Sequence, residues 1–240
     1  MRQPGSDVME TWGLLATVAE QLKMPLAIIS RQVDLDELKG RPGLTDTNLI
    51  RIHADAALQL VDSYLLGLEL LRSQTALPLE PVSVSSALAD TAHDLYRFAK
   101  GYGVELELRV AGKYGPVMSH QRGLKSALMS LGFALVETQA AQEDRRLRHI
   151  TLATHRTSGG IVTGLYGSYN SLTGEQWRTA LELCGQARQP LPTLTAGSGA
   201  GFFVAETIFR SMETRLRVGR YDHQIGLAVT LQPSRQLQLV

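Results

Sequence analysis

The sequence predicts an α+β protein in two parts, an N-terminal antiparallel helical hairpin followed by an α/β sandwich. Over residues 8–73, apolar residues recur every three or four positions, which is the period of an amphipathic helix. Beyond residue 77, short alternating stretches are interspersed with helical ones, as in a sheet with helices on one face. We therefore divide the chain into residues 8–76 and 77–235.

The composition is that of an ordinary globular protein. The chain has 240 residues, of which 44% are hydrophobic and 20% charged, and its net charge is +1. Such a balance implies no general attraction to nucleic acid or to an acidic membrane. The single Cys184 excludes a disulfide framework and a multi-cysteine metal site. No apolar run approaches the roughly 20 residues that span a bilayer. We expect a cytoplasmic protein with no membrane segment, no attached sensor and no nucleic-acid partner.

Two long helices make up the predicted hairpin. The first runs from about Val8 to Leu38, the turn lies at Lys39–Gly43, and the second runs from Thr45–Thr47 to about Ser73. An isolated hairpin leaves the apolar faces of both helices exposed. Pairing two hairpins into a four-helix bundle would bury them, so we predict a homodimer. The alternative is a hairpin packed on its own C-terminal domain.

The second part alternates strands and helices. Predicted strands lie around Val82 and Val84, at Val104–Val110, His149–His155, Ile161–Tyr166, Leu216–Val218 and Ile225–Leu231. Predicted helices lie at Ser85–Lys100, His120–Thr138, Glu175–Ala187 and Gly201–Met212. The order is that of an α+β sandwich with the helices on one face of the sheet.

One stretch of the first helix resembles a known motif. Residues 18–26 read V-A-E-Q-L-K-M-P-L, with a proline inside a helical pattern. This is similar to the V-S-H-E-L-R-T-P-L motif of two-component sensor histidine kinases, although Glu20 stands where the phosphoacceptor histidine belongs. The later order of elements resembles the ATP-binding domain shared by histidine kinases, heat-shock-90 chaperones and type II topoisomerases. The resemblance covers residues 12–232 and makes 8–76 a dimerisation and phosphotransfer-like hairpin and 77–235 an ATPase-like domain.

The resemblance implies that the chemistry of the hairpin is lost. Glu20 cannot act as a stable phosphate relay, and we interpret it as a solvated glutamate. In the family, a polar residue four positions after the histidine orients water for phosphatase activity, and Met24 occupies that position here. Receiver domains dock around the phosphoacceptor in this family, so Glu20, Gln21, Lys23, Met24 and Ala27 are the predicted partner-binding residues.

The helix that enters the nucleotide site in the family carries N-x-x-x-N, whose second asparagine helps to hold Mg²⁺. These positions fall on Ser130 and Ala134, and a shift of one residue gives Phe133. The chain contains only two asparagines, Asn48 and Asn170, and neither lies on this helix. Mg²⁺ requires hard oxygen ligands, which alanine and phenylalanine do not offer.

Two further family features concern the nucleotide base and a possible substitute ligand. The D-x-G-x-G box that reads adenine aligns with Gly167–Ser171, and no acid occurs between Asp144 and Glu175. Tyr166 and Tyr169 could stack on a base, but we favour the interpretation that they fill the vacated space. Glu137 could replace the missing Mg²⁺ ligand, but we expect it to face solvent.

The second glycine box of the family is retained. Residues 197–202 read G-S-G-A-G-F and precede a helix. Glycines let backbone N–H groups approach a phosphate, and a helix N-terminus adds a favourable dipole. Any residual nucleotide or anion site is therefore predicted at Gly197, Gly199 and Gly201. The spacing of the histidines predicts no metal site.

The sequence thus predicts a histidine-kinase-like protein of two-component signalling that has lost catalysis. It would act as a dimeric scaffold or regulator that binds a response-regulator receiver domain or an active histidine kinase, with no cofactor. One alternative is a divergent kinase or phosphotransferase that uses ATP and Mg²⁺ and works from an unusual residue such as His53. Another is a ligand-binding module built on the vacated pocket.

Overall fold

The computed structural model describes residues 26, 28, 29, 31, 47–73, 76–144, 148–168, 172–184 and 199–234. The helices are α1 (Thr47–Ser73), α2 (Val84–Gly101), α3 (Gln121–Ala140), α4 (Gly174–Leu183) and α5 (Ala200–Ser211). The strands are β1 (Glu80–Val82), β2 (Glu105–Val110), β3 (Val117–Ser119), β4 (His149–Thr157), β5 (Gly160–Gly167), β6 (Arg217–Tyr221) and β7 (Gln224–Leu231). Helix α1 is the second helix of the predicted hairpin. Leu26, Ile28, Ile29 and Arg31, from the first, are also helical.

Five strands form the main sheet in the order β2-β4-β5-β7-β6. Strands β2 and β4 are parallel and are joined through α3, while the remaining neighbours are antiparallel. Alternate side chains such as Ile150, Leu165 and Leu227 point into the core against the helices. The predicted α+β sandwich is confirmed.

Local signals set several helix ends. The Ser83 hydroxyl accepts a hydrogen bond from the Ser86 N–H and begins α2, so Val84 opens a helix instead of extending a strand as predicted. Thr173 and Gln176 form a reciprocal capping box at the start of α4. Strand β3, which pairs with β1, was not predicted, because three residues are too few to show a period.

Helix α1 packs against the helical layer of its own chain. Its buried residues Ala56, Leu60, Tyr64 and Leu70 belong to the same hydrophobic core as the sheet-facing side chains. For α1, the structure therefore shows the packing of the second possibility, in which the hairpin lies against its own C-terminal domain. The homodimer stays a prediction. Within the described ranges, no helix has both the length and the hydropathy that a membrane span requires.

Candidate functional site

Three of the positions singled out by the sequence, Ser130, Ala134 and Gly201, meet where α3 packs against the start of α5. Gly201, in the first turn of α5, lies directly against Ser130 and Ala134 of α3. A Cβ atom added at Gly201 would lie 2.3 Å from the Ser130 carbonyl oxygen and 3.0 Å from the Ala134 Cβ. The two helices can approach this closely only because residue 201 has no side chain.

The α3 side of this contact is buried. Ser130 is fully buried and its hydroxyl finds no hydrogen-bond partner among the described residues, while Ala134 is 3% exposed. Phe133, the other alignment candidate, points elsewhere and meets Phe98 edge to face with ring centroids 4.8 Å apart. The only side-chain oxygen at these three positions is the Ser130 hydroxyl. Nowhere in the described ranges do three His, Cys, Asp or Glu residues form a metal-like group.

Glu137 lies half-buried, contrary to the expectation that it faces solvent. It is near the Tyr102 hydroxyl, whose pKa is raised by burial and further by the Glu137 carboxylate. Glu137 thus sits one turn beyond Ala134 and next to the C-terminal end of α2.

Tyr166 lies on the face of the sheet opposite to the helices. It is fully buried against Ala153 and Ala228, and its ring centroid is 5.5 Å from that of Tyr221. Tyr166 therefore does not fill space on the helical side, as we favoured from the sequence, and its full burial on the other face leaves no exposed ring for base stacking. Gly167 ends β5 in register with Ile150. Residues 169–171, including Tyr169, lie outside the described residues.

Two of the three glycines proposed for an anion site are described, and Gly197 is not. Gly199 caps α5 with φ 62°, a left-handed conformation that favours glycine. Its carbonyl accepts a hydrogen bond from the Phe202 N–H at 2.9 Å. Gly199 and Gly201 are both buried, as are Ala200 and Phe202 beside them. The left-handed backbone at Gly199 and the close helix packing at Gly201 each favour glycine, so no ligand is needed to explain either residue.

No protein-family model matches the sequence, and a search of curated proteins finds no significant match. Solved structures do match. The Acinetobacter baumannii histidine kinase AdeS aligns with 90% of this chain and 98% of its own, with a TM-score of 0.54 and 12% identity. Full-length ShkA in complex with AMPPNP aligns with 92% of this chain and 46% of its own, with a TM-score of 0.54 and 14% identity.

A third match is histidine kinase ThkA in complex with the response regulator protein TrrA. It has a TM-score of 0.54 and 11% identity, and covers 91% of this chain and 60% of that one. The chain has the fold of the sensor histidine kinase core. In this fold, the contact between Gly201 and α3 joins two segments that the sequence analysis aligned with the second glycine box and with the asparagine box of the family.

His53, the alternative phosphate relay, is buried in the kinase fold. It is 3% exposed and lies edge-on to Phe98 and Tyr102, at centroid distances of 6.0 and 5.5 Å. Its Nδ1 atom has no hydrogen-bond partner among the described residues, and burial lowers its pKa below 6.5. The imidazole faces α2 rather than a seam between hairpins. The predicted partner-binding residues, Glu20, Gln21, Lys23, Met24 and Ala27, lie outside the described residues.

The burial of His53 predicts an acid-sensitive contribution to stability. Because its pKa is lowered in the folded state, the stability that neutral His53 contributes is present above pH 6.5 and is lost as the pH falls below it. We expect His53→Leu to lose less unfolding free energy than the wild type between pH 7.5 and 5.5, measured by urea denaturation. The control His223→Leu, at a fully exposed side chain, should follow the wild type. Equal losses in all three proteins would contradict this placement of His53.

Sequence reasoning missed a buried carboxyl group on α5. Glu206 is 3% exposed and accepts a hydrogen bond from the Leu216 N–H at 2.8 Å. Burial raises its pKa to about 7, while that hydrogen bond, Arg210 and Arg215 act in the opposite direction. The available signal was its position inside the apolar run of residues 202–209. Glu206 fixes the start of β6 to α5.

Proposed function

We propose that this protein is a non-catalytic relative of sensor histidine kinases that acts as a dimeric scaffold or regulator in the cytoplasm. The observation that carries the proposal is the close contact between Gly201 and the helix bearing Ser130 and Ala134. In the kinase family, these two positions on α3 carry asparagines and the second helps to hold Mg²⁺. Here they are a buried serine and a buried alanine, covered by α5.

The residues present do not fit a magnesium nucleotide. Ala134 offers no oxygen ligand, and the sequence has no acid at the position that reads adenine. A backbone anion site alone would leave much of the charge of ATP unneutralised. His53, buried between aromatic rings, is not placed to take up a phosphoryl group. These features support a protein that requires no cofactor.

For the partner, we propose a response-regulator receiver domain or an active histidine kinase. The similarity of the fold to ThkA in its complex with a response regulator supports the first of these partners. The docking surface would be the outer face of the first helix around Glu20, with Gln21, Lys23, Met24 and Ala27. A surface of this kind can persist after the phosphoacceptor has been replaced, because docking and phosphotransfer depend on different side chains.

The proposal is tested by measuring binding and phosphotransfer on the same samples. Receiver domains and kinases from the source organism are passed over the immobilised full-length chain, and each binder is then incubated with labelled phosphate donors. We expect at least one binder, no label on this chain, and at least about tenfold weaker binding by Lys23→Glu if Lys23 forms a charge-assisted contact. The control Lys113→Glu changes the charge equally in the second domain. No binder, or acid-labile phosphate on this chain, would contradict the proposal, and the latter would revive the divergent enzyme.

A further inference from the structure

A cleft of about 260 Å³ lies between α1 and the helical layer of the second domain. Its two walls carry polar side chains one helical turn apart. Asp55 and Gln59 line it from α1, and His93 and Arg97 line it from α2. The cleft lies among α1, α2 and α3, whereas the contact described above joins α3 to α5.

Two aromatic rings complete the lining. Phe98 and Phe133 come from α2 and α3 and pack edge to face, each nearly buried. Ile52 and Ala56 of α1 add apolar surface next to them. The cleft therefore combines polar walls with an apolar floor, which is the usual character of a small-molecule site. Its volume lies just below the range of about 300–1,000 Å³ typical of ligand pockets, so a nucleotide is too large.

Two oppositely charged side chains line this cleft but do not form an ion pair with each other. Asp55 and Arg97 are exposed, and within the described part of the chain neither side chain forms an ion pair or a hydrogen bond. Asp94, which also lines the cleft, differs, because its carboxylate is paired with the Lys125 ammonium at 2.8 Å. The cleft thus holds one negative and one positive group that do not neutralise each other.

Gln59, one of the residues that line the cleft, carries a buried acceptor without a partner among the described residues. The Gln59 Oε1 atom is shielded from solvent, and none of the described residues donates a hydrogen bond to it. Buried polar atoms are normally satisfied, and because Gln59 lines the cleft, a rotation of its side-chain amide would bring this unsatisfied acceptor to a ligand donor. A ligand N–H group entering between the walls would supply that donor.

We propose that the cleft binds a small zwitterion with an apolar side chain, namely a free α-amino acid of the leucine, methionine or phenylalanine type. Its ammonium group lies between Asp55 and the Gln59 Oε1 atom, and its carboxylate meets Arg97. The apolar side chain rests on Phe98 and Phe133. Because α1 forms one wall and α2 the other, the bound amino acid holds α1 in its docked position.

The test uses the full-length chain with L-leucine, L-methionine and L-phenylalanine, each at about 10 mM. Thermal unfolding and titration calorimetry report binding. We expect at least one of the three to raise Tm by about 2 °C or more, because ligands that bind only the folded state stabilise it. For phenylalanine, 3-phenylpropionate and phenethylamine each lack one of the two charges. Each should bind about tenfold more weakly or worse than the zwitterion.

Two variants locate the site. Arg97→Gln and Asp55→Asn should each weaken binding of the best amino acid about tenfold, while Tm without ligand stays near the wild-type value, since both side chains are exposed. The controls Asp90→Asn on α2 and Asp62→Asn on α1 are exposed and lie outside the cleft lining. Binding by none of the three amino acids, equal binding of the single-charge analogues, or unchanged binding in both cleft variants would overturn the proposal.

Discussion

Replacing Gly201 by alanine is expected to lower the free energy of unfolding by about 2–3 kcal/mol, the upper part of the range of about 1–3 kcal/mol found when extra atoms are forced into a packed core. The added methyl group would lie 2.3 Å from the Ser130 carbonyl oxygen, so α5 must move away from α3. Since the obstacle is backbone, no side chain can rotate to relieve the overlap. Urea denaturation followed by circular dichroism measures the change.

The matched control is Gly174→Ala, at the first residue of α4. No atom lies within 4 Å of a Cβ added there, so we expect a change within about 0.5 kcal/mol or a small gain. This pair separates packing from ligand binding as the role of Gly201. If Gly201→Ala retained wild-type stability but lost binding of ATP or inorganic phosphate, the glycine motif would be a working anion site.

Replacing Glu206 by glutamine should remove a large pH dependence of stability. The pKa of Glu206 is raised from 4.5 to about 7 in the folded state, so its contribution is fully present below pH 4.5 and is lost as the pH rises through 7. A shift of this size corresponds to about 3 kcal/mol. Relative to Glu206→Gln, the wild type should therefore lose about 3 kcal/mol of unfolding free energy between pH 4.5 and 7.5.

The measurement is a series of urea denaturations across this pH range. Glutamine keeps an oxygen that can accept the hydrogen bond from the Leu216 N–H, so the variant should fold normally. Glu213→Gln, an exposed carboxyl group in the turn that follows α5, serves as the control and should track the wild type. A constant difference between Glu206→Gln and the wild type at all pH values would show that the carboxyl group titrates normally.

Much of the fold was predictable because its elements are long and periodic. Strand β2 alternates over Glu105–Val110, and the apolar period of α3 extends over five turns. The face of Tyr166 was not predictable, because β5 lies inside the sheet and is buried on both faces, so its alternation does not tell which face meets the helices.

The same distinction applies to the site. The lack of asparagine on α3 and of an acid after β5 follows from composition, without any alignment. The contact between Gly201 and Ser130 could not be predicted from composition, because it joins residues 71 positions apart through helix packing. The apolar face of α1 was visible in the sequence, but periodicity does not specify the surface that buries it. Packing of α1 on the chain's own helical layer and packing of α1 in a dimer both require the same apolar period along this helix.

Titration calorimetry of the full-length chain with Mg-ATP and with ADP tests the central claim most directly, with an active histidine kinase as the positive control. The resemblance aligns Ala134 with the asparagine that holds Mg²⁺ in the family, and Gly201 packs against this alanine, so we expect no detectable heat of binding to this chain. Micromolar or tighter binding of either nucleotide would contradict the account, since it would require a nucleotide site that does not depend on the missing asparagine and acid.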